Sequence, residues 1–215
     1  MLSFFCLGVP LAIAQDYDYF PADAGPYFRL GGGPSFYLDG TLQQFGGSEN
    51  RTVSYDTGFA LDTGIGYAFN KYISVGFDTG YYETWINSVP GYSSGSAYVD
   101  NVPFMAEATF SLPIPHTIIV PYIGVSGGGS TSEFWANGFG RPGPGRGFVY
   151  GSEWDTVFAY GASAGVRFKI SPHFSAAVGY NYFATQDTRY DYGGFTVGFK
   201  GVQVNTAMIM LQWKF

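Results

Sequence analysis

Seven charged side chains lie within alternating apolar stretches of the chain, and each lies on the same face of its predicted strand, the face that also carries Gly, Ala and Ser. The seven residues are Arg29, Asp62, Asp78, Glu107, Arg167, Lys169 and Lys214. Three carboxylates at such positions would suit either an ion path or a set of ion pairs. We expect the carboxylates to pair with the four cations, because a buried charge is costly unless it is paired.

The residues that catalysis or metal binding would need are poorly placed. The two histidines, His116 and His173, each follow a proline in a short predicted turn, without a cysteine or carboxylate at metal-ligand spacing. A nucleophilic serine needs a histidine within hydrogen-bond reach. We therefore expect no catalytic residue, no metal site and no cofactor.

The composition excludes several classes of protein. Of the 215 residues, 46% are hydrophobic and only 12% are charged, yet the mean hydropathy of +0.04 is too low for a bundle of membrane helices. The 32 glycines and the 20% share of aromatic residues favour strands and turns over helices. The net charge of −6 argues against nucleic acid as a partner, because the chain has no excess of cations for phosphates.

The first residues have the pattern of an export signal. Residues 1–14 are apolar and end in Ala12-Ile13-Ala14, and this run is too short to span a bilayer as a helix. We expect a signal peptide over residues 1–14, a short periplasmic segment over 15–25 and one membrane domain over 26–215.

The rest of the chain alternates with period 2, which is the pattern of strands. In one stretch, for example, Phe59, Leu61 and Ile65 share one face while Ala60 and Asp62 share the other. The pattern predicts eight strands, at residues 28–36, 58–67, 73–81, 104–112, 119–126, 158–170, 174–182 and 206–215. A soluble barrel would carry large charged residues on its second face. The small residues found there instead favour a narrow barrel interior, with the bulky apolar face against lipid.

The connections between these stretches alternate in length. Residues 70–71, 113–117 and 171–173 are short connections, whereas 39–56, 83–101, 130–155 and 184–200 are long. Outer-membrane barrels have short periplasmic turns and long extracellular loops. The third long segment holds aromatic and arginine residues typical of recognition surfaces: Trp135, Phe139, Arg141, Arg146 and Tyr150. A loop folded over the barrel mouth, or resting on lipopolysaccharide, is the alternative interpretation.

Residues 102–106, 121–125, 160–168 and 178–182 resemble the eight-stranded outer-membrane β-barrel family that includes OmpA, OmpX and Opa. The C-terminal alternation of Ile209, Leu211, Trp213 and Phe215 is similar to that family's signal for the barrel assembly machinery. The resemblance implies an all-β fold, an eight-stranded antiparallel up-and-down transmembrane β-barrel. It also implies a monomer in the bacterial outer membrane, in contact with membrane lipid and lipopolysaccharide.

Architecture transfers within such a family better than activity does. We expect a structural or adhesin-like role, in which four extracellular loops contact an extracellular ligand. Two alternatives stay open at this point: a narrow channel for small or hydrophobic solutes, and an enzyme that modifies outer-leaflet lipid.

Overall fold

The computed structural model describes residues 24–93, 95–141, 143 and 147–215. Its elements are twelve strands: β1 (Gly25–Tyr37), β2 (Gly40–Phe45), β3 (Ser48–Tyr55), β4 (Thr57–Ala68), β5 (Ile73–Ser88), β6 (Ser96–Ser111), β7 (Ile119–Gly140), β8 (Phe148–Lys169), β9 (Phe174–Thr185), β10 (Thr188–Asp191), β11 (Thr196–Phe199) and β12 (Gln203–Lys214). Within the described ranges, no helix is long and apolar enough to cross a membrane. The predicted signal peptide, and the predicted periplasmic segment up to residue 23, lie outside these ranges.

Eight of the strands close into a barrel. β1 pairs with β4 and β12, and antiparallel pairing continues from β4 through β5, β6, β7, β8 and β9 to β12. Each of the eight therefore has a neighbour on both sides, which satisfies its backbone groups where no water is present. These strands correspond to the eight predicted stretches, and the predicted fold class is confirmed.

Alternation along each strand decides which side chains face lipid. In β1, for example, Phe28 and Leu30 are exposed, whereas Tyr27 and Arg29 are buried in the lumen. We define the lipid-facing band as the outward face of the barrel strands over residues 26–36, 59–69, 73–81, 102–112, 119–129, 158–168, 174–182 and 207–215. It carries most of the large exposed apolar residues, although others, such as Leu38, Trp85 and Trp154, lie outside it. Each stretch has roughly the 9–11 residues that a tilted strand needs to cross a bilayer.

The four long connections are built largely from strands, and their prediction as loops is wrong. β5, β6, β7 and β8 continue beyond the lipid-facing band, while β2, β3, β10 and β11 form a small sheet that joins the barrel through β3 and β5. We call this whole part, at the end of the barrel with the long connections, the cap. At its sheet edge, the Arg189 N–H of β10 donates to the Asp155 carboxylate at 2.7 Å.

The cap has a hydrophobic core of its own. Phe134 and Phe139 of β7 are fully buried, and their rings meet edge-on with centroids 5.5 Å apart. The core around them includes Leu42, Phe45, Val53, Ile86, Val99, Val197 and Phe199. Because the pleat turns these side chains inward, they fill the outer end of the barrel.

Candidate functional site

One arginine holds three carboxylates together inside the barrel. Arg29 Nη2 lies 2.8 Å from Asp78 Oδ1 and 3.6 Å from Asp62 Oδ1, and Arg29 Nη1 lies 2.9 Å from Glu107 Oε2. All four residues are at most 8% exposed. Ser163 Oγ also donates to Glu107 Oε1 at 3.2 Å. We call Arg29, Asp62, Asp78 and Glu107 the ion layer, which links β1, β4, β5 and β6 across the lumen.

Glycines on neighbouring strands make room for the ion layer. Gly64 of β4 pairs with both Arg29 of β1 and Asp78 of β5, and Gly31 of β1 pairs with Asp62. A Cβ atom on Gly64 would overlap the Asp78 carboxylate. Glycine at position 64 therefore has a local cause, since the Asp78 carboxylate occupies the volume that a side chain would fill.

The other three predicted interior cations do not pair with these carboxylates, against expectation. Arg167 places its guanidinium over the Tyr122 ring, 5.3 Å from the centroid. Lys169 and Lys214 line the mouth of the barrel at its short-turn end together with Arg167. The physical reason is register, because these cations stand closer to the short turns than the ion layer does.

Side chains occupy the lumen on both sides of the ion layer. The cavities beside Arg29 measure about 30 and 10 Å³, which is room for roughly one or two water molecules. Toward the cap, Tyr82 stacks on Phe183 with centroids 5.0 Å apart and accepts a hydrogen bond from Asn181 Nδ2 at 3.0 Å. Such filling agrees with the narrow interior of an eight-stranded barrel.

A group of three aromatic rings lies on the outer wall of the barrel, just beyond the lipid-facing band. Tyr98 stacks on Trp135 with centroids 5.1 Å apart, and Trp85 meets Tyr98 edge-on at 5.3 Å. We call these rings the aromatic patch. They meet because β5, β6 and β7 are adjacent and pair Trp85 with Tyr98 and Tyr98 with Trp135.

Three carboxylates form the next row toward the membrane. Glu83 pairs with Asp100, and Asp100 pairs with Glu133. The Tyr81 hydroxyl donates to Asp100 Oδ2 at 2.6 Å and lies 3.2 Å from Glu83 Oε2. Burial, with the nearby charges of Glu83 and Glu133 in support, raises the pKa of Asp100 to about 6, although the hydrogen bond from Tyr81 opposes this shift.

The structure separates the residues of the predicted recognition surface. Tyr150 is 64% exposed, Trp135 belongs to the aromatic patch, and Arg141 is half-buried with Nη1 3.8 Å from Glu49 Oε1. Arg146 lies outside the described residues.

The assignment of Phe139 to an exposed surface is wrong. The pairing of β7 with β8 shifts between Asn137 and Phe139, and Gly138 between them has a φ of 82°. A bulge of this kind adds one residue to the strand and reverses the alternation after it. Phe139 therefore turns inward and is fully buried in the cap core.

The two histidines lie in turns at the end of the barrel where β1 begins and β12 ends. His116 follows β6 and His173 follows β8, and both are exposed. Over the described residues, no group of three His, Cys, Asp or Glu side chains could hold a metal ion.

The C-terminal strand presents one apolar face to the outside of the barrel. Ile209, Leu211, Trp213 and Phe215 are all exposed on this face, where lipid would cover them. The predicted assembly signal is thus an uninterrupted stripe along β12 and the residue that follows it.

The family model described as outer membrane protein beta-barrel domain matches residues 31–215. Among solved structures, Neisserial surface protein A is similar, with 16% identity, a TM-score of 0.55, and coverage of 89% of this chain and 97% of that chain. The outer membrane protein OprG from Pseudomonas aeruginosa is also similar, with 14% identity, a TM-score of 0.53, and coverage of 89% and 96%. A comparison with curated proteins gave no match.

Proposed function

Because the chain belongs to the outer membrane protein beta-barrel domain family, we propose that it acts at the surface of the bacterial outer membrane, where its cap binds an extracellular partner. The observation that carries this proposal is the aromatic patch. Trp85, Tyr98 and Trp135 stand beyond the lipid-facing band, on strands that are rigidly paired. Aromatic side chains anchored in this way are typical of binding hot spots.

The filled lumen supports binding over conduction. Arg29 ties three carboxylates across the barrel, and the cap core around Phe134 fills the outer end. A pathway for solutes would require both the ion layer and the cap core to open, with loss of buried ion pairs and of apolar contacts. A channel is therefore a weaker hypothesis than surface binding.

The charge of the cap favours a partner with basic groups. Beyond the lipid-facing band, the described residues include ten acids, namely Asp39, Glu49, Asp56, Glu83, Asp100, Glu133, Glu153, Asp155, Asp187 and Asp191. The described bases there are four, namely Arg51, Arg141, Arg189 and Lys200. Complementary charge speeds association and selects partners, while aromatic faces attract cations.

The proposed role is not catalytic. His116 and His173 stand at the end of the barrel opposite the cap, so neither can serve a serine beside the aromatic patch. The proposal also includes lipid and lipopolysaccharide as neighbours of the outward face, and the barrel assembly machinery as the reader of the β12 stripe. The exposed Trp213 and Phe215 support that last part.

Binding by intact cells tests the proposal. Cells that express the protein would be applied to panels of immobilised host proteins and glycans, with a lysine-rich peptide as a probe of charge. We expect binding above that of cells without the protein, and loss of that binding in the Trp85→Ala, Trp135→Ala double variant. Phe69→Ala is the matched control, because this exposed aromatic ring lies at the opposite end of the barrel and outside the β12 stripe.

Planar-bilayer recordings separate binding from conduction. The purified protein should show no stable conductance step. Stable conductance, together with no binding above background on any surface, would contradict the proposed role and favour the channel.

A further inference from the structure

A notch in the cap lies apart from the aromatic patch. It is bounded by the start of β8 on one side and by the turn between β10 and β11 on the other, and its volume is about 510 Å³. Four aromatic rings and one carboxylate line it, namely Phe148, Tyr150, Tyr192, Phe195 and Glu153. We call this cavity the aromatic notch. A space of this size suits a small ligand or one group of a larger ligand.

Two of the rings are held in place by the cap core behind them. The Tyr192 hydroxyl donates to the Phe134 carbonyl oxygen at 2.7 Å. Phe195 meets Phe45 edge-on, with centroids 4.7 Å apart. Both Tyr192 and Phe195 are half-buried. These rings therefore have fixed positions, and a ligand in the notch would not have to order them.

The other two rings belong to β8 and are open to solvent. Phe148 is 43% exposed and Tyr150 is 64% exposed. Tyr150 lies beside Gly138 of β7, where a Cβ atom would come 3.9 Å from the ring. The notch thus combines two anchored rings with two rings whose surface is available to a ligand.

The charge in the notch is negative. Among the described residues, Glu153 forms no ion pair. Burial, with the charge of Glu153 next, raises the pKa of the Tyr192 phenol. Glu153 and Glu133 are the charged carboxylates that act on this phenol, and both disfavour a second negative charge there. A ligand that carries a positive charge would relieve this repulsion.

We propose that the aromatic notch binds a quaternary ammonium group of the choline class. Aromatic faces attract cations, and a set of rings around a quaternary ammonium is the common way in which proteins bind this group. The Glu153 carboxylate supplies the negative charge beside the rings. This site goes beyond the proposed role of the aromatic patch, because it lies on other strands and takes a defined chemical group.

Hydrogen-bonding capacity favours a quaternary ammonium over a primary one. A primary ammonium has three donors, which need acceptors when they leave water. The lining side chains offer the Glu153 carboxylate and two phenol oxygens, and the Tyr192 phenol is already bonded to Phe134. A quaternary ammonium has no donor, so ring faces and one carboxylate are sufficient for it.

The experiment is a titration of the folded, purified protein with choline, in a detergent that has no ammonium group, such as octyl glucoside. Saturation-transfer NMR follows the methyl signal of choline. We expect saturable binding. The neutral analogue, in which carbon replaces the choline nitrogen, should bind about tenfold more weakly because it has the same shape without the charge. Ethanolamine, which carries a primary ammonium, should also bind more weakly than choline.

Matched variants test the lining residues. Glu153→Gln removes the charge, and Tyr150→Ala removes an exposed ring, so each should raise the apparent Kd for choline by about three- to tenfold. Tyr150→Phe keeps the ring and should keep the affinity. Asp56→Asn is the charge control, because it removes an exposed carboxylate of the cap outside the notch. Gel mobility without boiling shows that each variant is folded.

Three outcomes would overturn the site: no saturable choline binding by the wild type, equal affinities for choline and its neutral analogue, or unchanged choline binding in both Glu153→Gln and Tyr150→Ala. Ethanolamine that binds as tightly as choline would overturn the assignment to a quaternary ammonium. The titration uses a small molecule and no residue of the aromatic patch, so its failure and the failure of the cell-binding experiment are distinguishable.

Discussion

The phenol oxygen of Tyr122 occupies the space that a Cβ atom on Gly179 would need. Tyr122 stands on β7, and Gly165 of β8 and Gly179 of β9 pair with each other beside it. A Cβ atom on Gly165 would also come within 2.7 Å of the same oxygen. One large ring therefore lies across two strands that offer it no side chain.

Replacing Gly179 tests this fit. Gly179→Ala should destabilise the barrel by roughly 1–3 kcal/mol, because overpacking forces a side chain or the backbone to move. The measurement is the temperature at which the unboiled protein changes its gel mobility. Gly127→Ala is the control, since a Cβ there meets no heavy atom within 4 Å. Equal temperatures for the two variants would show that Tyr122 moves aside without cost.

The ion layer makes a second prediction. Arg29→Gln leaves three buried carboxylates without their cation, and the cost should be about 3–5 kcal/mol in the free energy of unfolding by urea. Asp62→Asn should cost less stability than Asp78→Asn, because the Asp62 carboxylate lies 3.6 Å from the Arg29 guanidinium and the Asp78 carboxylate lies 2.8 Å from it. Adding Asp62→Asn, Asp78→Asn and Glu107→Gln to Arg29→Gln should recover much of the loss.

Conductance separates a structural ion layer from an ion path. We expect none of these variants to gain a stable conductance step while it remains folded. A large conductance gain in Asp62→Asn, with stability unchanged, would assign the carboxylates to an ion path.

The pH dependence of stability should carry a contribution from Asp100. Its pKa rises from the usual value of 3.8 to about 6, chiefly through burial. A raised pKa means that the folded state binds the proton more tightly, so the stabilisation is present below about pH 4 and is lost as the pH rises through 6.

Asp100→Asn tests that contribution. It should raise the stability at pH 8 by roughly 1–2 kcal/mol, with allowance for solvent screening, and change little at pH 4. Unfolding midpoints in urea at the two pH values give the comparison. A variant that is destabilised equally at both values would indicate loss of the hydrogen bond from Tyr81 instead.

The cap core can be loosened without opening the barrel. Phe134→Ala removes a fully buried ring, and the cost should be about 3–5 kcal/mol, borne by the cap. Protease added to intact cells should then cut the cap while the membrane strands stay protected. Phe148→Ala is the control, because this ring is 43% exposed. Resistance equal to that of the wild type would mean that the strands alone hold the cap.

The barrel strands could be predicted because their signal is local. Phe59, Leu61 and Ile65 face lipid while Asp62 faces the lumen, and period-2 alternation reports this directly. The cap could not be predicted in this way. Val197 of β11 pairs with Phe45 of β2, although about 150 residues separate them, and runs of four to six residues give little periodicity.

The charged residues of the lumen were predicted as a set, but their pairing was not. The period-2 alternation predicted that Arg29, Glu107 and Arg167 lie on the inner face. Their depth along the barrel depends on strand register, which a single sequence does not fix. The bulge at Gly138 is a similar case. One inserted residue reversed the face of Phe139, and the glycine at position 138, which has a positive φ in the structure, was the only sign of it in the sequence.

The length of β7 and β8 has a mechanical consequence. Each strand has 22 residues, and about half of them stand beyond the lipid-facing band. At about 3.3 Å per residue and a tilt of about 40°, the hairpin rises roughly 25 Å above the hydrocarbon. A partner that pulls on Tyr150 therefore loads one continuous ladder of hydrogen bonds in shear. The tension then passes directly into the barrel. Over the described residues, no flexible segment separates the paired part of this hairpin from the membrane strands.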